Sequence, residues 1–161
     1  GIYYSPLSFG NDLGEHIGSE ALYLAGTPDL IGSEAKPITM EKASQLPILV
    51  QSPPAMFRDL VEASFAENGY AFNAVHNLNT VNTHLQFARA GKGATILAFS
   101  AVERSVMDGS LIARKIVEPE IRRDIYLGTA SQATTHLQRD GITILKAAIA
   151  ARQQDLRWTL V

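Results

Sequence analysis

The chain alternates short, uniformly apolar runs with longer stretches in which apolar residues recur at helical spacing. Residues 48–50 and 94–99 have no polar face, which is typical of strands covered on both sides in a parallel sheet. The other predicted strands are residues 1–6, 21–25, 71–77 and 121–128. A loop that holds Asn11, Gly14 and Gly18 is predicted between the first two strands.

Amphipathic stretches between these runs predict helices. Ser52 suits the N-cap and Pro53 the first position of a helix that ends at Asn68 and Gly69. A second helix carries Val81, Leu85 and Ala88 on one face and ends at Gly91.

Two further helices and a short one complete the predicted elements. Residues 100–103 read Ser-Ala-Val-Glu, the pattern of a capping box at a helix start. Residues 136–158 are predicted to form one long helix, and residues 39–45 a helix of at most two turns. Strands and helices thus alternate, which favours an α/β fold with a parallel or mixed sheet and helices on both faces. Folds of this kind bind ligands beyond the carboxyl ends of their strands.

Composition limits the classes of function. The 161 residues are 46% hydrophobic, enough for a sizeable core, and the net charge of −2 offers no basic surface for a nucleic-acid backbone. The absence of cysteine excludes disulfides and thiolate metal sites and agrees with a reducing compartment. No stretch has the length and apolar character of a membrane span or a secretory leader. The expectation is a cytoplasmic protein without a membrane anchor.

Two predicted strand-to-helix junctions carry hydrogen-bonding side chains. One is Val50-Gln51-Ser52-Pro53, and the other is Asn77-Leu78-Asn79-Thr80. Free backbone amides at a helix start attract anions, so these junctions suit a carboxylate or a small oxyanion. The alternative is that Ser52 and Asn79 only cap their own helices, which such residues commonly do.

Other chemistries have weaker support. The four histidines share no metal-ligand spacing and are expected to be surface or internally satisfied residues. Residues 91–93, Gly-Lys-Gly, lack the Ser or Thr and the preceding glycine of a phosphate-binding loop. Arg58 is expected at the surface, although it could reach a bound anion, and Arg122 and Arg123 are expected to be a solvated pair. No catalytic motif, metal site or cofactor site is predicted.

Several segments, taken in order, resemble the effector-binding domain of the LysR-type transcriptional regulators. They are EALYL at residues 20–24, LPILV at 46–50, FAENGY at 65–70, GKGATIL at 91–97 and GSL at 109–111. The resemblance covers roughly residues 1–158. Ala98 stands where the family often has proline.

The resemblance implies a periplasmic-binding-protein type II-like fold, with two α/β lobes of mixed sheet, crossover strands between them and a ligand cleft between the lobes. Residues 1–26 and 121–161 would form the first lobe and residues 27–120 the second. The family's amino-terminal winged helix-turn-helix and the opening of the first lobe have no counterpart in the chain. The parent protein is therefore expected to bind DNA through that other domain, as a homodimer or homotetramer, and to respond to a small-molecule effector.

The family's cleft residues fall on eight positions of this chain. They are Tyr4, Ser5, Gln51, Ser52, Asn79, Thr80, Ala94 and Thr95. Ser52 and Asn79 are predicted to donate to an oxyanion, with Gln51 and Thr95 setting shape and secondary hydrogen bonds. Two other classes stay open: a transport-type solute receptor of the same fold, and a small α/β enzyme.

Overall fold

The computed structural model describes residues 2–5, 15–71, 73–127, 135–151 and 157–160. The strands are β1 (Ile2–Ser5), β2 (Glu15–Gly26), β3 (Ile38–Thr39), β4 (Pro47–Gln51), β5 (Asn73–Leu78), β6 (Ala94–Ala98), β7 (Ile112–Val117), β8 (Arg122–Leu127) and β9 (Trp158–Leu160). The helices are α1 (Pro28–Ile31), α2 (Met40–Ser44), α3 (Met56–Glu67), α4 (Val81–Arg89), α5 (Phe99–Met107) and α6 (Thr135–Ala151). The predicted alternation of strand and helix is confirmed.

The chain divides into two compact units. Unit 1 comprises Gly1–Glu20 and Arg122–Val161, and unit 2 comprises Ala21–Ile121. The long strand β2 begins in unit 1 and ends in unit 2. The sequence predicts lobe boundaries after residues 26 and 120. The first lies a few residues from the division after Glu20, and the second lies one residue from the division after Ile121.

Unit 2 is built on a mixed sheet with the strand order β3-β7-β2-β6-β4-β5. Strand β4 lies parallel to both β5 and β6, and β3 lies parallel to β7. The carboxyl-terminal half of β2 runs antiparallel to β6 and β7. As predicted from their apolar runs, β4 and β6 are interior strands, and all five residues of β6 are buried.

Helices cover both faces of this sheet. Leu60, Val61 and Phe65 of α3 pack with Ile48 and other residues of one face. Ala88 of α4 packs with Leu49 and Leu78 on the other face. Phe65 is wholly buried, and burial of such a side chain stabilises a fold by about 1.5–3 kcal/mol.

In unit 1, β8 lies between β1 and β2 and is antiparallel to β1, while β9 is antiparallel to the first half of β2. Ile17, Ile125, Leu127, Ile149 and Trp158 form its core.

Two predictions about this unit are wrong. The sequence predicts Trp158 in the last helix, but α6 ends at Ala151 and Trp158 pairs with Glu20 in the sheet. The sequence predicts Gly18 in a loop, yet it lies in β2, where a side chain would meet the Thr159 carbonyl oxygen of β9. Asn11 and Gly14 of the predicted loop lie outside the described residues.

Two predicted helix starts are also wrong. Helix α3 begins at Met56 with Ala55 as its N-cap, since Pro54 disfavours a helical conformation at Pro53. Helix α5 begins at Phe99 with the extended residue Ala98 as its N-cap, so Ser100 comes too late to cap it.

None of the helices in the described part of the chain is long and apolar enough to cross a membrane. Across the same residues, no group of three or more His, Asp or Glu side chains is placed to hold a metal ion.

Gly93 is required by the packing of β4 against the start of β6. A Cβ atom there would lie 2.9 Å from Leu49 Cδ2 and 3.1 Å from the Pro47 carbonyl oxygen. We expect Gly93→Ala to lower the free energy of unfolding by about 1–3 kcal/mol, because the added methyl overpacks a buried site. Urea denaturation measures this loss. In the Leu49→Ala background the added cost of Gly93→Ala should be smaller, and full additivity of the two changes would contradict the explanation.

Candidate functional site

The two predicted polar junctions follow neighbouring parallel strands of unit 2. Gln51 and Leu78 are the last register pair of β4 and β5, and the Ser52 amide donates to the Leu78 carbonyl at 3.0 Å. The side chains of Gln51 and Ser52 are half-buried, while Asn79 and Thr80 are exposed. Four of the predicted ligand residues therefore lie at one edge of the sheet.

This edge is a point where the chain reverses its direction across the sheet. Helix α3 leads from β4 to β5, and α4 then leads back past β4 to β6 on its other side. Such switch points are where open α/β sheets commonly bind ligands.

A recess lies where β4 and β6 separate. The two strands are in register at Ile48↔Ala94 and Leu49↔Thr95, and the residues that follow on each strand line the recess. Its lining residues are Ile48, Leu49, Val50, Gln51, Phe57, Arg58, Val61, His84, Ile96 and Leu97. The enclosed part has room for about one water-sized group.

Arg58 connects the two strand ends. Its NH1 donates to the Gln51 carbonyl at 3.1 Å and to Asn77 Oδ1 at 2.7 Å. Its Nε donates to Glu62 Oε1 at 2.7 Å, and only 19% of the side chain is exposed. The expectation of a surface arginine is wrong: the guanidinium has both a carboxylate partner and a structural role.

Neither Ser52 nor Asn79 is a helix N-cap. Ala55 and Ala98 are the N-caps of α3 and α5, and no side chain of the described residues caps either helix. Thr80 is the N-cap of α4, where its Oγ1 accepts from the Thr83 amide at 3.2 Å. The capping explanation for Ser52 and Asn79 is therefore wrong.

Ala94 and Thr95 lie inside the sheet and have no exposed surface. Thr95 Oγ1 lies 2.9 Å from His84 Nδ1. His84 was expected to resemble the other histidines, but it is 98% buried, whereas His16 and His76 are exposed. The His136 side chain lies outside the described residues.

Burial also decides the protonation of His84. The pKa of His84 lies below its ordinary value because burial disfavours the imidazolium, and the Leu78 carbonyl opposes this effect only in part. The ring is therefore neutral near pH 7 and offers one donor and one acceptor.

Tyr4 and Ser5 belong to unit 1, at the end of β1. The guanidinium of Arg123 lies over the Tyr4 ring, 3.7 Å from its centroid. Partial burial raises the pKa of Tyr4, the nearby Glu20 carboxylate raises it further, and Arg123 opposes both effects. The Ser5 side chain lies outside the described residues.

Arg122 and Arg123 are not a solvated pair. Arg123 forms an ion pair with the buried Glu20 carboxylate, whose other oxygen accepts from Trp158 Nε1 at 2.9 Å. Arg122 donates to the Ser19 hydroxyl at 3.0 Å and to Thr159 Oγ1 at 2.8 Å. Both arginines tie together strands of unit 1.

Sequence reasoning did not include His84 in the unit 2 site, and it did not predict that Arg58 and Asn77 bind each other there. One signal was present for His84: it lies four residues before the buried Ala88 on the inward face of α4. The i, i+4 spacing of Arg58 and Glu62 on α3 was a local signal for their ion pair. Nothing in the local sequence identifies the other two partners of Arg58, Gln51 and Asn77, which come from β4 and β5.

With this geometry established, comparison with known proteins identifies the family. A family model described as the LysR substrate binding domain matches residues 1–153. The chain belongs to this family. The predicted periplasmic-binding-protein type II-like α/β fold and the effector-binding regulatory role are thereby confirmed.

One curated relative and two solved structures illustrate the similarity. The HTH-type transcriptional regulator BbuR of Bordetella bronchiseptica is 27% identical over 115 residues, which are 71% of this chain and 35% of BbuR. The LysR-family domain thus spans about a third of that relative's length.

The solved structures share the fold. The CcmR regulatory domain of Synechocystis PCC6803, in complex with 2-PG, matches with a TM-score of 0.70 and 13% identity, over 91% of this chain and 72% of that one. The effector binding domain of QuiR, in complex with shikimate, matches with a TM-score of 0.59 and 15% identity, over 83% of this chain and 57% of QuiR.

Removing the Arg58 guanidinium should loosen the edge of this LysR-family domain. We expect Arg58→Met to lower the free energy of unfolding by about 1–2 kcal/mol, because the Gln51 carbonyl and Asn77 lose a charged donor. Chemical denaturation measures the change. Arg104→Met, at an exposed position of α5, should stay within about 0.5 kcal/mol of the unsubstituted domain. Equal losses in the two variants would contradict the role assigned to Arg58.

The neutral His84 should make the fold sensitive to acid. Its pKa is lower in the folded than in the unfolded chain, so the stabilisation is complete above about pH 6.5 and is lost as the pH falls below that value. Denaturation at about pH 7.5 and about pH 5.5 measures how much unfolding free energy is lost on acidification. The loss should be larger for the unsubstituted domain than for His84→Gln. The exposed-site variant His76→Gln should lose as much as the unsubstituted domain.

Proposed function

We propose that this domain senses a small oxyanion, such as a carboxylate, at the carboxyl-end edge of the unit 2 sheet. The observation that carries the proposal is that α3 and α5 start at this edge without a side-chain cap. Their first amides keep hydrogen-bonding capacity, and the positive ends of both helix dipoles favour a negative charge.

Ser52 and Asn79 are the side-chain donors of the proposed site. Neither residue is used as a helix cap, and both follow strands that end side by side. Arg58 is paired with Glu62, so it supplies position rather than net charge. Neutral donors of this kind bind an anion by hydrogen bonds and set the direction of approach.

The remaining predicted residues have secondary roles in the proposal. Gln51 and Thr80 shape the edge from the two strand ends, and Tyr4 and Ser5 are added from the family resemblance. Ala94 and Thr95 support the site from inside the sheet, because neither has exposed surface. The proposal keeps residues 1–26 with 121–161 as one lobe and residues 27–120 as the other.

The whole protein is proposed to be a cytoplasmic DNA-binding regulator that acts as a homodimer or homotetramer and has no catalytic activity. Effector binding would shift the populations of its quaternary arrangements and so change transcription. The LysR family assignment and the ligand-bound CcmR and QuiR neighbours support this function. They do not favour a transport receptor or an enzyme.

Sulfate and acetate are suitable first probes of the site. We expect the double variant Ser52→Ala, Asn79→Ala to bind the better of the two at least about tenfold more weakly than the unsubstituted domain, because two hydrogen bonds to a charged group are lost. Isothermal titration calorimetry measures both affinities.

The matched control is the double variant Ser33→Ala, Asn73→Ala. Ser33 is exposed before β3, and Asn73 is exposed at the opposite end of β5 from Asn79. This control should bind the probe as the unsubstituted domain does. Unchanged affinity in the Ser52, Asn79 variant would refute the proposed site.

A further inference from the structure

His84 lines the recess between β4 and β6 and has a ring nitrogen without a hydrogen-bond partner among the described residues. The residue is 2% exposed, and its Nδ1 is 2.9 Å from Thr95 Oγ1. Its Nε2 is buried and has no hydrogen-bond partner among the described residues. A buried polar atom without a partner destabilises a fold, so an oxygen that enters the recess, from a water molecule or a ligand, would satisfy it.

The environment of Thr95 indicates which tautomer His84 adopts. The Thr95 hydroxyl has no exposed surface, and His84 is its one hydrogen-bond partner in the described part of the chain. If the hydroxyl donates to Nδ1, then Nε2 carries the proton and a single polar group is left unpaired. The opposite tautomer leaves two, the hydroxyl hydrogen and the Nε2 lone pair. The Leu78 carbonyl lies near the ring but forms no hydrogen bond with either nitrogen among the described residues, so it does not change this count. The first arrangement is favoured, so Nε2 is a donor.

The walls of the recess select for a neutral partner. Seven of its lining residues are apolar: Ile48, Leu49, Val50, Phe57, Val61, Ile96 and Leu97. Arg58 also lines the recess, but its guanidinium is bonded to Glu62, the Gln51 carbonyl and Asn77. A carboxylate in the recess would therefore lose its hydration and gain chiefly the neutral His84 donor, which does not compensate for the loss. A carbonyl or hydroxyl oxygen fits both the donor and the space for one water-sized group.

We propose that His84 Nε2 is a specificity-determining donor that binds a neutral oxygen of the effector, so that the domain selects oxo acids and hydroxy acids over simple carboxylic acids. This inference rests on the proposed function, since Ser52 and Asn79 hold the carboxylate of the same molecule. The recess and the strand edge then bind two different groups of one small ligand.

Paired acids that differ by one oxygen test the selectivity. Levulinate is compared with pentanoate, and lactate with propionate, because the two pairs place the added oxygen at different distances from the carboxylate. We expect the oxygen-bearing acid of at least one pair to bind about 3- to 10-fold more tightly in calorimetry, the effect of one neutral hydrogen bond.

Variants assign that preference to His84. His84→Phe keeps the ring but removes the donor and should abolish the preference, while His84→Gln places an amide N–H near the same point and should restore part of it. The control is His76→Phe, at an exposed position on β5, which should leave the preference unchanged.

Nitrogen-15 NMR of the imidazole gives a readout that needs no variant. The unliganded domain should show the Nε2–H tautomer of His84, and the preferred acid should shift the Nε2 resonance. Thr95→Val removes the donor to Nδ1 and should allow the other tautomer. A protonated Nδ1 in the unsubstituted domain would overturn the inference even if His84→Phe fails to fold.

The outcomes separate the two proposals. Equal affinities within both pairs, both reduced by the Ser52, Asn79 variant, would overturn the role of His84 and leave the oxyanion site in place. A preference that needs His84 but survives the loss of Ser52 and Asn79 would overturn the oxyanion site. A domain that binds none of the four acids would overturn both.

Discussion

The parallel pairing of β4 with β5 on one side and β6 on the other is the interaction on which unit 2 depends. It buries Ile48, Leu49 and Val50 on both faces of the sheet, where α3 covers one face and α4 the other. Because parallel strands end at the same edge, the same pairing brings the segments after Gln51 and Leu78 together. The core and the candidate site are thus consequences of one arrangement.

The polar groups at this edge divide into those that hold the structure and those that remain available. Arg58 is committed to Gln51, Asn77 and Glu62, and Thr80 is committed to the start of α4. Among the described residues, three kinds of group remain available: the first amides of α3 and α5, the side chains of Ser52 and Asn79, and the buried His84 Nε2. An oxyanion of the ligand would accept from the amides, Ser52 and Asn79, and a neutral oxygen of the same ligand would accept from His84 Nε2. This is the chemical basis of the two proposals.

Unit 1 uses a buried ion pair for a structural purpose. Glu20 lies where β2 leaves this unit. Its carboxylate forms an ion pair with Arg123 of β8 and accepts a hydrogen bond from Trp158 of β9, the two neighbouring strands. A buried carboxylate is tolerated only with such partners, because unpaired burial of a charge is costly. The three residues are far apart in sequence, so their association could not be expected from local patterns.

Apolar runs and amphipathic periodicity were sufficient to predict the interior strands β4 and β6, the face and end of α3, and the order of elements. The ordered segments that resemble LysR regulators predicted the family as well. These features follow from local chemistry: an apolar run is buried wherever the fold places it, and Gly69, with its positive φ, ends α3 where the helix must turn.

Tertiary structure alone decided the rest. It placed Trp158 in a strand, joined Arg58 and Arg123 to partners on other strands, and buried His84 against Thr95. The physical reason is common to all of them. Long polar side chains and short terminal segments gain most of their free energy from partners remote in sequence, and local periodicity carries no information about those partners.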